Sequence, residues 1–434
     1  MKLCMIGTGY VGLVSGTCFA DIGNQVYCVD KDSIKINKLN SGISPIYEPG
    51  LDELIDKNFK AKRLIFTTDL KQAIGASDII FICVGTPNKK GSLQVDLSFV
   101  YKCVQEILLF TKKKKIIVTK STVPLGTGDL IEKIIKKKRK LFSVISNPEF
   151  LREGEAIRDF RFPDRIVIGS NDKKEFKIMQ KLYSPLINKG AKFFTTSRRG
   201  AELIKYAANA FLATKITYIN EIANLCEESG INIEDVSLGL GLDSRIGSRF
   251  LRAGPAYGGS CFPKDTKGLV SVADKYKINL SIVKSVIKSN QERIDLLTKR
   301  VHKILGNNIK GKKISLLGVT FKPNTDDMRD STSLNMIPYF CKKGAHVSYY
   351  DPSGEKKEFK NLKNCNFKKN IKDNCFKADL IILLTEWDEF KSIDFKRVVK
   401  KKNFKIYDLR NLYTSNEMRR NKIKYYSIGR PDTN

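Results

Sequence analysis

Histidine is almost missing from these 434 residues, with His302 and His346 the whole supply, and neither lies in a glycine-rich or polar cluster. Imidazole acid–base chemistry is thereby excluded, and carboxylates, lysine, cysteine and water must carry any reaction. Paired cysteines are missing too. Ten cysteines are dispersed, mostly in apolar runs such as those around Cys28 and Cys83, and no C-x-x-C spacing occurs. That excludes a zinc site and a thioredoxin-type motif, so no metal is expected and buried structural thiols account for all but Cys261. No long uncharged apolar run is present, which excludes a membrane-spanning helix. The apolar start Met1–Ile6 is too short for a signal peptide and runs straight into a glycine motif. A first strand and a cytoplasmic location are expected.

Length and charge set the next bounds. A chain of 434 residues exceeds one typical core, so two or three domains are expected. The formal charge of +32 raises nucleic acid as a partner. Yet the lysine runs (Lys112 to Lys115, Lys136 to Lys140, Lys400 to Lys402) carry no interleaved aromatics and match no nucleic-acid-binding motif. A general surface bias that steers anionic substrates is the expectation, with neither nucleic acid nor membrane as partner.

The first half alternates short apolar runs with helical patterns, which predicts a parallel sheet with crossover helices. Leu3–Ile6, Gln25–Val29, Ile79–Val84 and Ile116–Thr119 are expected as consecutive strands, continued by Leu141–Ile145 and Ile166–Ile168. Polar clusters follow several of them: Gly85-Thr86-Pro87, Ser121-Thr122-Val123-Pro124 and Asn147-Pro148-Glu149. Ligands of open α/β sheets bind at the carboxyl ends of strands, so these clusters are expected to line one crevice. Between Gly200 and Gly230, apolar residues repeat at helical spacing. A helix of about 29 residues spans roughly 44 Å, more than one small domain surrounds, so it is expected to bridge domains or pack across a dimer. Further helices are expected at Lys264–Tyr276 and Ser281–Leu305, and a second α/β unit follows the linker Gly306–Gly311. Its strands are Lys313–Leu317, His346–Tyr350 and Leu380–Leu384. The fold class is therefore α/β: two Rossmann-like doubly wound domains, 1–199 and 306–434, joined by a central helical domain, 200–305, with a long connecting helix.

Gly7-Thr8-Gly9-Tyr10-Val11-Gly12 follows a strand and opens a helix, and Asp30 ends the next strand. This G-x-G-x-x-G in register lets a pyrophosphate approach the helix N-terminus, while an acid at Asp30 accepts ribose hydroxyls and repels a 2′-phosphate. NAD is expected over NADP, a preference that Lys31 and Lys35 soften. Tyr257-Gly258-Gly259-Ser260-Cys261-Phe262-Pro263-Lys264-Asp265 sets a thiol after two glycines and before a proline able to open a helix. A helix N-terminus and a nearby lysine both favour thiolate, and Asp265 stands four residues on. A tight turn with a buried thiol is the plainer alternative. Lys205 and Asn209 lie four apart on one helical face, as an oxyanion site or as a solvated flank. Glu149 and Glu153 follow a strand, as base and water ligand or as a surface loop in which Glu153 pairs with Arg152.

Taken together and in this order, these segments resemble the UDP-glucose/GDP-mannose dehydrogenase family over essentially the whole chain, above all at Gly259–Asp265. The resemblance implies an NAD-dependent, four-electron oxidation of UDP-glucose at C6 to UDP-glucuronate, with GDP-mannose or an N-acetylated UDP-hexosamine as alternative substrates. It implies that Cys261 holds the aldehyde as a thiohemiacetal and then a thioester. Lys205 and Asn209 would stabilise the oxygen at C6, Asp265 would orient water or accept a proton, and Thr122 and Glu149 would place the hydrolytic water. The cofactor would meet Gly7, Gly9, Tyr10, Val11, Gly12, Asp30, Lys35, Thr86, Thr122, Glu153 and Arg329. Lys264 would contact the bound ligands rather than catalyse. For the sugar nucleotide the resemblance implies Glu149, Phe150, Leu151, Lys205 and Asn209, then Phe250, Tyr257, Gly258, Cys261, Lys322 and Arg410. Arg245 would reach the substrate of a neighbouring subunit, which implies a homodimer built on the long helix.

Overall fold

The computed structural model describes residues 1–89, 91–111, 113–138 and 142–431. Lys112, Arg139, Lys140 and Leu141, named above in two lysine runs and one strand, lie outside the described residues, as do the last three of the expected third domain. The chain divides into two compact units. Residues 1–208 and 267–279 form the first; residues 209–266 and 280–434 form the second.

Among the described residues, the first unit holds an eight-stranded sheet, ordered β3-β2-β1-β4-β5-β6-β7-β8. Its strands are β1 (Lys2–Ile6), β2 (Gln25–Val29), β3 (Leu64–Thr67), β4 (Ile79–Ile82), β5 (Lys115–Thr119), β6 (Phe142–Ser146), β7 (Arg165–Gly169) and β8 (Lys192–Thr196). Pairing is parallel except between β6 and β7. Side chains alternate across the sheet, so Leu3 and Met5 enter one apolar layer and Cys4 and Ile6 the other. The order reverses between β1 and β4, so the carboxyl ends of these two neighbours open the crevice expected of a doubly wound sheet.

The second unit repeats the order. Its strands are β9 (Lys313–Leu317), β10 (His346–Tyr350), β11 (Cys365–Phe367), β12 (Leu380–Leu383), β13 (Lys405–Asp408) and β14 (Lys424–Ser427), arranged β11-β10-β9-β12-β13-β14. Ile314 and Leu316 pack on one face and Leu317 on the other.

Five strands were not anticipated from the apolar runs: β3, β8, β11, β13 and β14. Four of them, β3, β8, β11 and β14, are outermost in their sheets, and β8 is largely exposed along its length, whereas β13 is an inner strand of four residues bounded by Lys405 and Asp408. A strand that packs on one face, or hardly at all, leaves no continuous apolar run to read. Other boundaries move by one or two residues; β4, for example, stops at Ile82 and β12 at Leu383. The long helix runs Arg198–Ser229, and Gly230 ends it at φ +74°. The helices Phe262–Lys275 and Ser281–Ile304 follow.

Candidate active site

In the first unit, Gly7 takes φ +98°, and a Cβ there would sit 3.0 Å from the carbonyl oxygen of Cys83. A Cβ on Gly12 would stand 1.9 Å from the Gly7 carbonyl oxygen, so only glycine lets the helix Tyr10–Asp21 start so close to the turn. Gly9 differs: the place its Cβ would take is open space. That gap is a cradle where a pyrophosphate can meet the backbone N–H groups, and a side chain would fill it. The Asp30 carboxylate accepts from the Thr8 amide and hydroxyl, both at 2.9 Å, and from Lys35 Nζ at 3.1 Å. Burial opposes its ionisation, but these bonds and one from the Asp32 amide prevail and hold Asp30 below its ordinary value. The turn, the open cradle and a fixed anion fit the adenosine half of NAD. Lys35 is thus paired to Asp30, which blunts its offer to a 2′-phosphate, while the Lys31 ammonium stands over the Phe99 ring. Val11 is the second residue of the helix Tyr10–Asp21. The Thr86 hydroxyl donates to the Thr122 carbonyl at 2.9 Å, joining the loops after β4 and β5.

Beyond β6 the chain brings a second group together. Glu149 and Glu153 are buried, not part of a surface loop as the plainer reading had it. Glu149 pairs through Oε1 with Lys205 Nζ at 3.1 Å, and its Oε2 accepts the Leu151 amide at 2.5 Å. Lys205 is buried rather than solvated, and its ammonium also stands 5.2 Å from the Phe150 ring centre. Arg165 covers that ring at 4.0 Å. Arg152 pairs with Glu155 and Asp159.

Lys120, to which no role was assigned from the sequence, lies wholly buried beside this pair. Its Nζ is 3.4 Å from both Asn147 Oδ1 and the Tyr183 hydroxyl. Burial pulls its ammonium down to about 8, against the opposing fields of Cys83 and Glu149. The signal was a lysine immediately after an apolar strand, where the chain has no solvent to reach.

In the second unit, Cys261 stands directly before the helix Phe262–Lys275 and its carbonyl accepts the Asp265 amide at 2.8 Å, the N-cap position. Both glycines ahead of it are obligatory. A Cβ on Gly258 would lie 2.3 Å from the Asp330 carbonyl oxygen, and one on Gly259, at φ +82°, would lie 2.6 Å from the Phe321 ring. The Gly259 amide bonds the Arg329 carbonyl at 2.7 Å, which fixes the turn. The Cys261 sulfur is 3.3 Å from the Ser260 hydroxyl.

One turn along, the fully buried Asp265 carboxylate accepts from Asn209 Nδ2 and from Lys264 Nζ, each at 2.6 Å. A buried carboxylate held from two sides has its oxygens fixed in direction, which suits orienting a proton or a water.

The remaining predicted residues are also in the second unit. Phe250, at φ +66°, and Tyr257 each stack edge-on against Phe262 at 6.2 Å. Asn290 clamps the Tyr257 backbone through its amide and carbonyl. Arg410 is anchored, with Nε on the Leu384 carbonyl and Glu386 and Nη2 on the Phe321 carbonyl at 3.0 Å. Arg329 and Arg245 are exposed and chelate Asp327 and Asp243 respectively. Lys322 lies over the Phe321 ring.

Two doubly wound sheets, a dinucleotide turn with its acid and a capped thiol beside a locked carboxylate define a nucleotide-dependent dehydrogenase. Comparison with known proteins narrows the class. Residues 1–187 match the NAD binding domain of the UDP-glucose/GDP-mannose dehydrogenase family, 199–292 its central domain and 315–415 its UDP binding domain. A UDP-glucose 6-dehydrogenase from Rhizobium meliloti (strain 1021) is 49% identical over 100% of both chains. UDP-glucose 6-dehydrogenase TuaD of Bacillus subtilis (strain 168) is 45% identical over 99% of this chain and 93% of its own. The structure of a UDP-glucose dehydrogenase from Pyrobaculum islandicum superposes with a TM-score of 0.90 at 32% identity, covering 98% of this chain and 96% of that one. The chain belongs to the UDP-glucose/GDP-mannose dehydrogenase family. It is an NAD-dependent oxidoreductase. Among the described residues, no helix is long and apolar enough to cross a membrane.

Proposed function

We propose that this enzyme oxidises the C6 hydroxymethyl of UDP-glucose twice, giving UDP-glucuronate through a covalent intermediate on Cys261. The observation that carries the covalent step is the capped thiol at the start of the helix Phe262–Lys275, one turn from the locked Asp265. The names of the full-length relatives support UDP-glucose as the substrate.

Bound NAD supplies the acceptor for a hydride in each of the two oxidations. The C6 hydroxyl gives up its proton to water as C6 gives up a hydride, which leaves an aldehyde, and Lys205 and Asn209 stabilise the oxygen through that change. The Cys261 thiolate then adds to the aldehyde carbon, forming a C–S bond and a thiohemiacetal. The covalent bond holds the aldehyde while the spent cofactor leaves. Loss of the second hydride makes a thioester. Thr122 and Glu149 place a water, Asp265 takes its proton, and its attack breaks the C–S bond to release the carboxylate and the thiol.

In this reading residues 1–199 hold NAD, 200–305 carry the thiol and the contact of a homodimer, and 306–434 hold the UDP-sugar. Glu153, Thr86, Lys264 and Arg329 complete the NAD site. Phe150, Leu151, Phe250, Tyr257, Gly258, Lys322 and Arg410 contact the sugar nucleotide, and Arg245 serves the partner's site. The enzyme works in the cytoplasm.

Incubation of the purified protein and NAD with UDP-glucose, GDP-mannose and UDP-N-acetylmannosamine in turn is the deciding experiment. Two NADH per UDP-glucose, with little from the others, is expected; preference for another sugar replaces the substrate assignment. Cys261→Ser should abolish steady turnover while UDP-glucose still binds. Unchanged turnover in that variant refutes the covalent step.

A further inference from the structure

Glu48 lies in Tyr47-Glu48-Pro49-Gly50, a stretch that carries none of the roles assigned above, yet its carboxylate is buried in the first unit. Its position is set locally. Gly50 turns at φ +78°, the Leu51 amide returns to the Glu48 carbonyl at 3.1 Å, and Leu51 anchors in the core. The carboxylate is then surrounded by donors. Oε1 accepts the Ala156 amide at 2.8 Å and the Ile157 amide at 3.4 Å. Oε2 accepts the Gly154 amide at 2.6 Å and the Tyr10 hydroxyl, while the Gly154 amide also lies 2.7 Å from the Tyr10 oxygen.

These partners come from two places the chemistry needs. Tyr10 opens the helix that follows the NAD turn, directly after Gly9. Gly154, at φ +81°, ends the loop that carries Glu149 and Glu153. Burying a carboxylate costs several kcal/mol unless it is fully bonded, so such a group persists where both oxygens are in use. Glu48 has three backbone N–H groups and a phenol. No bond in the set involves a freely adjustable surface side chain, so the geometry transmits position rather than merely absorbing charge.

We propose that Glu48 is a positioning residue that fixes the Glu149–Gly154 loop to the NAD turn, and so sets where the reacting end of NAD lies. The inference rests on the reading of that loop as part of the NAD and substrate site. It assigns Glu48 no contact with substrate or with reacting atoms.

The chemistry predicts an asymmetry. The Gly154, Ala156 and Ile157 amides and the Tyr10 hydroxyl all donate, so Glu48→Gln supplies an acceptor on one side and sets an amide N–H₂ against donors on the other. Tyr10→Phe removes one donor and leaves the three backbone bonds intact. NAD affinity measured by calorimetry without sugar should fall about tenfold or more in Glu48→Gln and less in Tyr10→Phe. A general folding defect would lower the calorimetric stoichiometry and leave the NAD affinity of the folded fraction unchanged, so weaker binding at full stoichiometry separates positioning from unfolding. Parental NAD affinity in Glu48→Gln overturns the proposal; if that variant does not fold, parental NAD affinity in Tyr10→Phe does so. NAD binding needs no sugar, so a wrong substrate assignment shows separately, as parent protein that binds NAD and makes no NADH from UDP-glucose.

Discussion

Asp265 owes its usefulness to its neighbours. A carboxylate with both oxygens held at 2.6 Å, by an amide and an ammonium, has little freedom to turn, and its burial excludes competing water. Glu202 shows what burial does with different partners. Its Oε1 accepts the Gly128 amide and its Oε2 the Gly126 amide, at 2.8 and 2.7 Å, where the helix Thr127–Lys138 begins. Burial nevertheless pushes its carboxyl up from 4.5 to about 7, the hydrogen bonds only moderating the rise. A carboxyl raised by folding stabilises the fold while protonated. That contribution is complete below about pH 4.5 and is lost as pH climbs through about 7. Glu202→Gln carries a pH-independent cost for one lost acceptor and removes the titration. Thermal denaturation across that window should therefore lose a decline on the order of 3 kcal/mol at most. A variant that declines with pH as steeply as the parent contradicts this.

At the scale of elements, the decisive object is the strand–turn–helix from β1 into Tyr10–Asp21. Three glycines serve three different ends: a left-handed turn at Gly7, an open cradle at Gly9 and backbone contact at Gly12. Gly12→Ala forces a methyl to 1.9 Å from a backbone oxygen, and neither partner is a flexible side chain able to swing away. The helix start must move, taking its N–H groups out of line for a pyrophosphate. NAD-induced stabilisation in a thermal melt should be largely lost in Gly12→Ala, with NAD affinity down about tenfold or more. Parental stabilisation by NAD would show that the helix start tolerates the shift. The thiol-bearing turn obeys the same logic, since Gly258 and Gly259 each exclude a side chain on steric grounds.

For the whole molecule, the charge of +32 is spread over many surface lysines, and both ligands of the proposed reaction are anions. A net field of that sign concentrates anionic ligands at low salt and is screened within about 10 Å at 0.1 M. The KM for UDP-glucose should rise several-fold between about 0.02 and 0.5 M NaCl, with kcat changing much less. A KM indifferent to salt would assign the lysines no part in substrate capture.

The sequence alone determined the features that obey local rules. A glycine turn between a strand and a helix, an acid at the end of the next strand and a proline just inside a helix that follows a cysteine all act within a few residues. The two doubly wound sheets were legible for the same reason, because buried central strands leave continuous apolar runs. The four edge strands and the short inner strand β13 were not. Tertiary structure decided which polar residues meet. Glu48 lies 106 positions from Gly154 and Glu202 lies 74 from Gly128, and no spacing rule connects such pairs. Folding likewise decided that Glu149 pairs with Lys205 and that Arg152 turns to Glu155 and Asp159. Backbone conformation is set by each residue and its neighbours, whereas the partner of a buried charge is set by whichever distant donor the packed sheet brings to it.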